Sequence, residues 1–220
     1  MRLVLLGPPG AGKGSLASLV QRRLGVRHVS TGDIFRQEIA RRSVLGRRVH
    51  GYVTSGRLVP DALVVKVMAA RISTAQLDRG LVLDGFPRTQ GQAAGLDRVL
   101  KRLGRPLDGA VYLAAPLALL VRRLAGRRVC PRCGANYHVR TMKPERPGQC
   151  DRCETRLIIR KDDEPETIKK RLAIDQAASK PLLAYYRRRG VLYRIDGAGR
   201  LDKVFERVRN VCVRRGWLHR

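Results

Sequence analysis

Five short apolar runs, Leu3–Leu6, Val26–Ser30, Leu81–Leu83, Ala110–Ala114 and Val191–Ile195, recur along the chain. Most are separated by longer stretches whose apolar residues return every three to four positions: Ser15–Leu24, Asp61–Ile72, Gln90–Leu103 and Pro116–Leu124. Short strands alternating with amphipathic helices predict an α/β fold in which a five-stranded parallel sheet is flanked by helices. Two regions interrupt the alternation. Residues 31–59 hold helical patterns without a strand, and residues 126–163 are rich in Cys, Gly, Pro and charge. Both read as insertions over the strand ends. Beyond them, Glu164–Arg189 and Arg200–Arg215 read as helices around the last strand, with Pro165 suited to a first turn. The whole predicts a single domain over residues 1–220, with insertions over 30–59 and 126–163.

Ligands of open parallel sheets sit beyond the C-terminal ends of the strands. Two segments fall there. The first is Gly7-Pro8-Pro9-Gly10-Ala11-Gly12-Lys13-Gly14-Ser15, directly after the first strand and leading into a helix. Its glycines let backbone N–H groups converge on phosphate oxygens, the following helix turns its positive end toward them, and Lys13 adds a point charge for the β and γ groups. This is a nucleotide cradle. The second segment, Asp84–Thr89, ends an apolar strand with an acid, a turn and an arginine.

The cysteines change the picture of the second insertion. Cys130-Pro-Arg-Cys133 and Cys150-Asp-Arg-Cys153 are separated by sixteen residues, the spacing of two knuckles that close one tetrahedral zinc site of four cysteines. Four thiolates fill the coordination shell, so the metal expected is structural Zn2+. Surrounding arginines favour the thiolate form. Disulfides or a redox pair are the competing reading. His138, close by, is superfluous as a ligand, and Cys212 reads as a buried small hydrophobe.

The net charge is +28, carried by 37 Arg against 9 Lys spread over nearly every segment. An organism-wide preference for Arg codons is the first explanation of such scattered charge, with nonspecific RNA, ribosome or polyanion contact as a secondary property beside it. An individual arginine therefore means little unless a motif places it. Residues 1–6 are too short for a signal-peptide apolar region, and no stretch approaches the ~20 apolar residues that span a bilayer. The expectation is a soluble cytoplasmic protein without a membrane partner.

Taken with Ser30-Thr31-Gly32-Asp33-Ile34-Phe35-Arg36, Leu81-Val82-Leu83-Asp84-Gly85-Phe86-Pro87-Arg88-Thr89, Gly126-Arg127-Arg128 and Arg160-Lys161-Asp162-Asp163, the phosphate loop and the cysteine insert appear in an informative order. The chain resembles the bacterial adenylate kinases of the long, zinc-lid type over essentially its whole length. The resemblance implies a P-loop core, an AMP-binding insertion at 30–59 and a lid at 126–163. It also implies reversible, Mg2+-dependent transfer of the γ-phosphoryl of ATP to AMP, giving two ADP, by a monomer.

The acceptor oxygen of AMP is already ionised near neutral pH, so the chemistry needs positioning and cations rather than a general base. That fits a chain without a convincing Ser/His/Asp or paired-carboxylate set. By the resemblance, Gly10, Ala11, Gly12, Lys13, Gly14 and Ser15 hold the ATP phosphates. Arg123 and Arg127 grip them from the opposite side, on one face if the helix from Pro116 continues into the lid. Asn136 and Tyr137 lie at the ATP adenine or ribose, and Gly199 supplies a backbone contact. Arg36 and Arg88 take the AMP phosphate, and Arg160 and Arg171 complete the clamp. Thr31, Arg57, Leu58, Val59, Gly85, Phe86, Pro87 and Gln92 complete the AMP site, the Gln92 carboxamide both donating to and accepting from an adenine edge. Asp84 holds Mg2+ through water. Asp162 and Asp163 are expected to pair with lid or core arginines.

Position 14 is Gly where most P-loops carry a magnesium-binding hydroxyl. In adenylate kinases Gly is usual there, and Mg2+ readily keeps waters in place of protein ligands. Two rivals stand beside this reading. One is a kinase preferring UMP, CMP or GMP. The other is a zinc-ribbon nucleic-acid binder with a regulatory P-loop, which the aromatic content of 5% disfavours because it leaves few stacking platforms.

Overall fold

The computed structural model describes residues 1–218. Five parallel strands form one sheet in the order β2-β3-β1-β4-β7: β1 Arg2–Leu6, β2 Arg27–Ser30, β3 Leu81–Asp84, β4 Gly109–Ala114 and β7 Leu192–Asp196. Each lies within one or two residues of an apolar run in the sequence. The inner strands β1, β3 and β4 are nearly all apolar because helices cover both faces, whereas the edge strands β2 and β7 carry Arg27, His28, Arg194 and Asp196. Along β1 the side chains alternate: Val4 and Leu6 join one core, Leu3 and Leu5 the other.

The first core packs against α2 Thr31–Ala40, α3 Val44–Thr54, α4 Asp61–Ala69, α5 Thr74–Asp78, α6 Gln90–Arg102 and the C-terminal half of α8 Pro165–Arg188. The second packs against α1 Lys13–Leu24, α7 Leu117–Ala125 and α9 Leu201–Arg214. Cys212 is buried in this second core, as expected of a small hydrophobe, and burial pushes its thiol up to about 11. The chain runs from β1 toward β2 on one side, and from β3 across β1 to β4 on the other. The resulting switch point lies between β1 and β3, where Leu5 and Asp84 stand in register.

Residues 31–59 carry α2 and α3 and no strand, as expected. The two helices cross closely at Gly46, where a Cβ would fall 2.1 Å from the Glu38 carbonyl. Residues 126–163 carry a small antiparallel pair, β5 Arg127–Val129 and β6 Asn136–His138, and end in a 3-10 turn, Lys161–Asp163. Only Cys130, Ala135, Cys150 and Leu157 form a buried apolar group there.

The helix from Pro116 does not continue into the second insertion: α7 ends at Ala125, Gly126 is its C-cap, and Arg127 opens β5. The His138 ring packs against this end, so close to Gly126 that a Cβ would meet its Nε2 at 2.3 Å, and the same nitrogen lies 3.3 Å from the Arg122 carbonyl. Arg123 and Arg127 therefore reach the cleft from a helix and a strand, not from one helix face.

Candidate active site

The phosphate loop joins β1 to α1. Gly10 and Gly12 adopt φ of 85° and 93°, a region that L side chains rarely enter. Gly12 is the N-cap of α1 and no side chain caps the helix, so its first-turn amides point into the cleft without an intrahelical partner. Lys13 Nζ folds back across the loop, donating to the carbonyls of Gly7 at 2.5 Å and Pro8 at 3.0 Å. Burial pulls its ammonium down to about 8, against the opposing charge of Asp84.

Gly14 has a structural reason. A Cβ there would come within 3.2 Å of Asp84 Oδ2, so the missing side chain admits the carboxylate to the edge of the loop. Asp84 is buried at the end of β3, and His28 Nε2 lies 3.8 Å from its Oδ2. Sequence reasoning missed His28. Residues 28 and 30 on β2 share a face with 82 and 84 on β3 through the parallel register, a relation that appears only once the strands are paired.

Cations ring the rest of a cleft of about 920 Å3. Lys13, Arg36, Arg88, Arg123, Arg127, Arg160 and Arg171 all line it, with Asp84, Asn136, Gly199 and residues 10–15. Arg123 bridges two loops, donating from Nη1 to the Gly197 carbonyl at 3.0 Å and the Ala11 carbonyl at 3.4 Å, and from Nη2 to the Gly199 carbonyl at 3.3 Å. Arg127 forks onto Asp163 with N···O distances of 2.7 and 2.5 Å. Arg171 Nη1 reaches Asp163 Oδ1 at 2.8 Å and Asp162 Oδ2 at 3.1 Å. The expected pairing of both acids with arginines is thus present. Burial opposes ionisation of Asp162, yet Arg171 and the other guanidinia hold its carboxyl below the usual range.

Arg160 differs from its neighbours. Its Nη2 donates to Asn136 Oδ1 at 3.2 Å, while its Nε is buried with no hydrogen-bond partner. Burial and the adjacent charges of Arg36 and Arg127 pull it down to about 9. A buried guanidinium nitrogen without an acceptor calls for an anion.

A second, smaller cavity of about 60 Å3 adjoins the cleft. Thr31, Arg36, Arg57, Leu58, Val59, Gly85, Arg88, Gln92 and Arg171 line it, together with apolar Phe35, Val53 and Val64. Thr31 Oγ1 donates to the Gly85 carbonyl at 2.8 Å, and Arg88 Nε donates to the same carbonyl at 3.0 Å. Arg36 Nη2 pairs with Asp33 at 2.5 Å.

Two expected site side chains are directed elsewhere. Phe86 is buried in the core of the sheet, because its turn carries the chain under α6 before Pro87 and Arg88 re-emerge at the cleft. Tyr137 faces the cysteines: its hydroxyl lies 3.4 Å from Cys150 Sγ and accepts from the Asp151 amide at 2.8 Å. Strand pleating puts Asn136 and His138 on the opposite face, where both line the cleft. His138 is no metal ligand, since its Nδ1 accepts from the amides of Arg140 and Thr141 at 3.1 and 3.3 Å.

The four cysteine sulfurs lie within 4.8 Å of one another. Cys130 and Cys153 are 3.4 Å apart, Cys133 and Cys150 3.5 Å. Tetrahedral Zn–S bonds of about 2.3 Å set sulfurs about 3.8 Å apart, so the group fits such an ion with small adjustment.

The family model described as adenylate kinase matches residues 5–191. The chain is 42% identical over 214 residues to an adenylate kinase of Clostridium botulinum (strain 657 / Type Ba4), covering 97% of this chain and 99% of that one. It is 47% identical over 204 residues to an adenylate kinase of Moorella thermoacetica, covering 93% and 94%. A Clostridium tetani adenylate kinase is 41% identical over 211 residues, covering 96% and 98%. The match takes in the loop, the arginine-lined cleft and the cysteine insert alike: the chain belongs to the adenylate kinase family, which transfers a phosphoryl group from ATP to AMP to give ADP.

Proposed function

We propose that the large cleft is a two-nucleotide phosphoryl-transfer site whose cations divide between donor and acceptor. The observation that carries this division is Arg160 on the wall of the large cleft, whose buried Nε has no hydrogen-bond partner. Lys13 and the amides of residues 10–15 cradle the ATP phosphates, with Arg123 and Arg127 opposite. Arg36 and Arg88 receive the AMP phosphate. Arg160 and Arg171 span the junction, where charge spreads over the transferring group.

The small cavity takes the AMP base, with Thr31, Arg57, Leu58 and Val59 as walls, Gly85 to Arg88 as floor and Gln92 at the edge. Asn136 and Gly199 contribute to the ATP base and ribose, Tyr137 by its backbone alone. Mg2+, which the family uses with ATP, rests on phosphates and waters, with Asp84 as outer acceptor. Neutralising phosphate charge is the chemistry it supplies.

Residues 30–59 act as the AMP-binding insertion and 126–163 as the lid, whose cysteines hold a structural Zn2+. A closed lid excludes water, which would otherwise compete with AMP for the phosphoryl group. A monomer suffices, because one chain supplies every cation of both pockets. No helix among the described residues is long and apolar enough to cross a membrane, and the substrates are those of the cytoplasm, where we assign the protein. The large positive charge also supports weak, salt-sensitive contact with polyanions.

The direct test is ADP formation from ATP with AMP, GMP, CMP or UMP, with and without Mg2+. AMP is expected to be the fastest acceptor and omission of Mg2+ to abolish turnover. A faster pyrimidine acceptor would overturn the assignment of the small cavity. A second test reads Lys13 directly. With a free-state value of about 8, the lysine is largely neutral at about pH 9, and bound polyphosphate restores its charge. Calorimetric titration with ATP in buffers of different ionisation enthalpy is expected to show uptake approaching one proton at about pH 9 and none from this group at about pH 7. Equal uptake at both values would contradict the lowered ammonium of the free protein.

A further inference from the structure

Gln92 stands in the first turn of α6, and both ends of its carboxamide are already engaged. Its Nε2 donates to Asp61 Oδ1 at 2.9 Å, and its Oε1 accepts from the Arg88 amide at 2.8 Å. An ionised carboxylate only accepts and a backbone amide only donates, so turning the carboxamide over would set acceptor against acceptor and donor against donor. What remains for a ligand is one N–H and one lone pair, in a fixed order.

Asp61 is itself held in place. It lies in the first turn of α4, where the helix dipole favours a carboxylate, and its Oδ2 accepts from Thr89 Oγ1 at 2.7 Å. Thr89 is the N-cap of α6 and accepts in turn from the Gln92 amide at 3.1 Å. Three side chains therefore close a ring of hydrogen bonds between two helix starts. Gly91 makes room for it, since a Cβ there would come within 2.5 Å of Asp61 Oδ2.

We propose that Asp61 is a specificity-determining positioning residue, which pins the sense of the Gln92 carboxamide and so selects a 6-aminopurine monophosphate over a 6-oxopurine one. The inference rests on the assignment of Gln92 to the base edge. Adenine offers an acceptor at N1 beside a donor at N6. Hypoxanthine and guanine offer a donor at N1 beside an acceptor at O6, the same pair in reverse order. A carboxamide free to turn accommodates either base. A pinned one leaves the 6-oxopurine with two facing pairs of like groups in an apolar cavity, where unmatched polar groups are costly.

The test compares AMP with inosine monophosphate, which reverses the edge without adding a 2-amino group. The quantity read is the ratio of kcat/KM for AMP to that for inosine monophosphate. Where the latter is not turned over, its inhibition constant is set against the KM for AMP. Asp61→Ala and Gly91→Ala are both expected to lower the ratio about tenfold, mainly by raising kcat/KM, or tightening inhibition, for inosine monophosphate. Gly91→Ala displaces the carboxylate without deleting it, and alanine is the better helix former, so this variant reports even if Asp61→Ala folds poorly. Asp61→Asn, whose Oδ1 can still accept from Gln92 while its Nδ2 donates to Thr89, is expected to stay within about threefold of the parent.

Gln92→Leu separates the two levels of the argument. If it lowers the ratio while Asp61→Ala and Gly91→Ala leave it within about twofold, Gln92 reads the base and Asp61 does not pin it. If Gln92→Leu leaves the ratio unchanged, the assignment of Gln92 fails and the role of Asp61 falls with it. A loss in Asp61→Asn equal to that in Asp61→Ala would also overturn the proposal, because charge rather than hydrogen-bond order would then be responsible.

Discussion

Lys13→Met is expected to lower kcat for ADP formation about a thousandfold while leaving the melting temperature unchanged or higher. The two halves of this result come from one observation. Lys13 is buried, and burial lowers its ammonium from the ordinary 10.5 to about 8. Between those values the unfolded chain binds more protons than the folded one at this position, so stability rises with pH across that window. Below about 8, keeping the charge inside the fold costs on the order of 3 kcal/mol. Methionine keeps the apolar stem and its packing while removing the charge, so that cost disappears. The catalytic loss follows because a cation fixed beside the β and γ phosphates acts where charge develops during transfer. Stability and turnover read in the same preparation by calorimetry and coupled assay check both halves. A variant that loses stability in proportion to activity would show Lys13 to be a structural residue.

Cys130→Ser is expected to abolish metal binding and to lower the melting temperature by about 10 °C, while activity at moderate temperature falls much less. The insert over 126–163 buries only Cys130, Ala135, Cys150 and Leu157 as an apolar group, far too little to order nearly forty residues. Two strands of three residues each add few hydrogen bonds. A metal held by the four cysteines would supply the missing cohesion. Since none of the four sulfurs lines the nucleotide cleft, its loss reaches the chemistry only through the order of the insert. Metal content by elemental analysis and scanning calorimetry give the readout. A metal-free variant that melts with the parent would refute a structural role.

Much of this molecule is legible in the sequence because the signals are local. A strand buried on both faces is an apolar run, and the phosphate loop and cysteine knuckles are defined by spacings of a few residues. What escapes depends on distance across the chain. The need for glycine at position 126 comes from the His138 ring, twelve residues later and on a strand. The inward turn of Phe86 and the facing of Tyr137 toward sulfur depend on which face of a strand or loop meets the core, and neighbouring residues in the sequence do not encode it. His28 beside Asp84 requires the β2–β3 register, and the Asp61–Gln92 contact joins residues 31 positions apart. Position 14 shows the reverse case. Glycine there is legible as a departure from the common motif, but its reason, the approach of Asp84, is not.

The pairing of Arg127 and Arg171 with Asp163 gives the cleft the character of an ion exchanger. Its counterions are carboxylates of the chain itself, 2.5 to 3.1 Å from the guanidinia. Asp162 and Asp163 thus offset part of the positive charge of the cleft, so the number of arginines overstates the net charge a phosphate meets there.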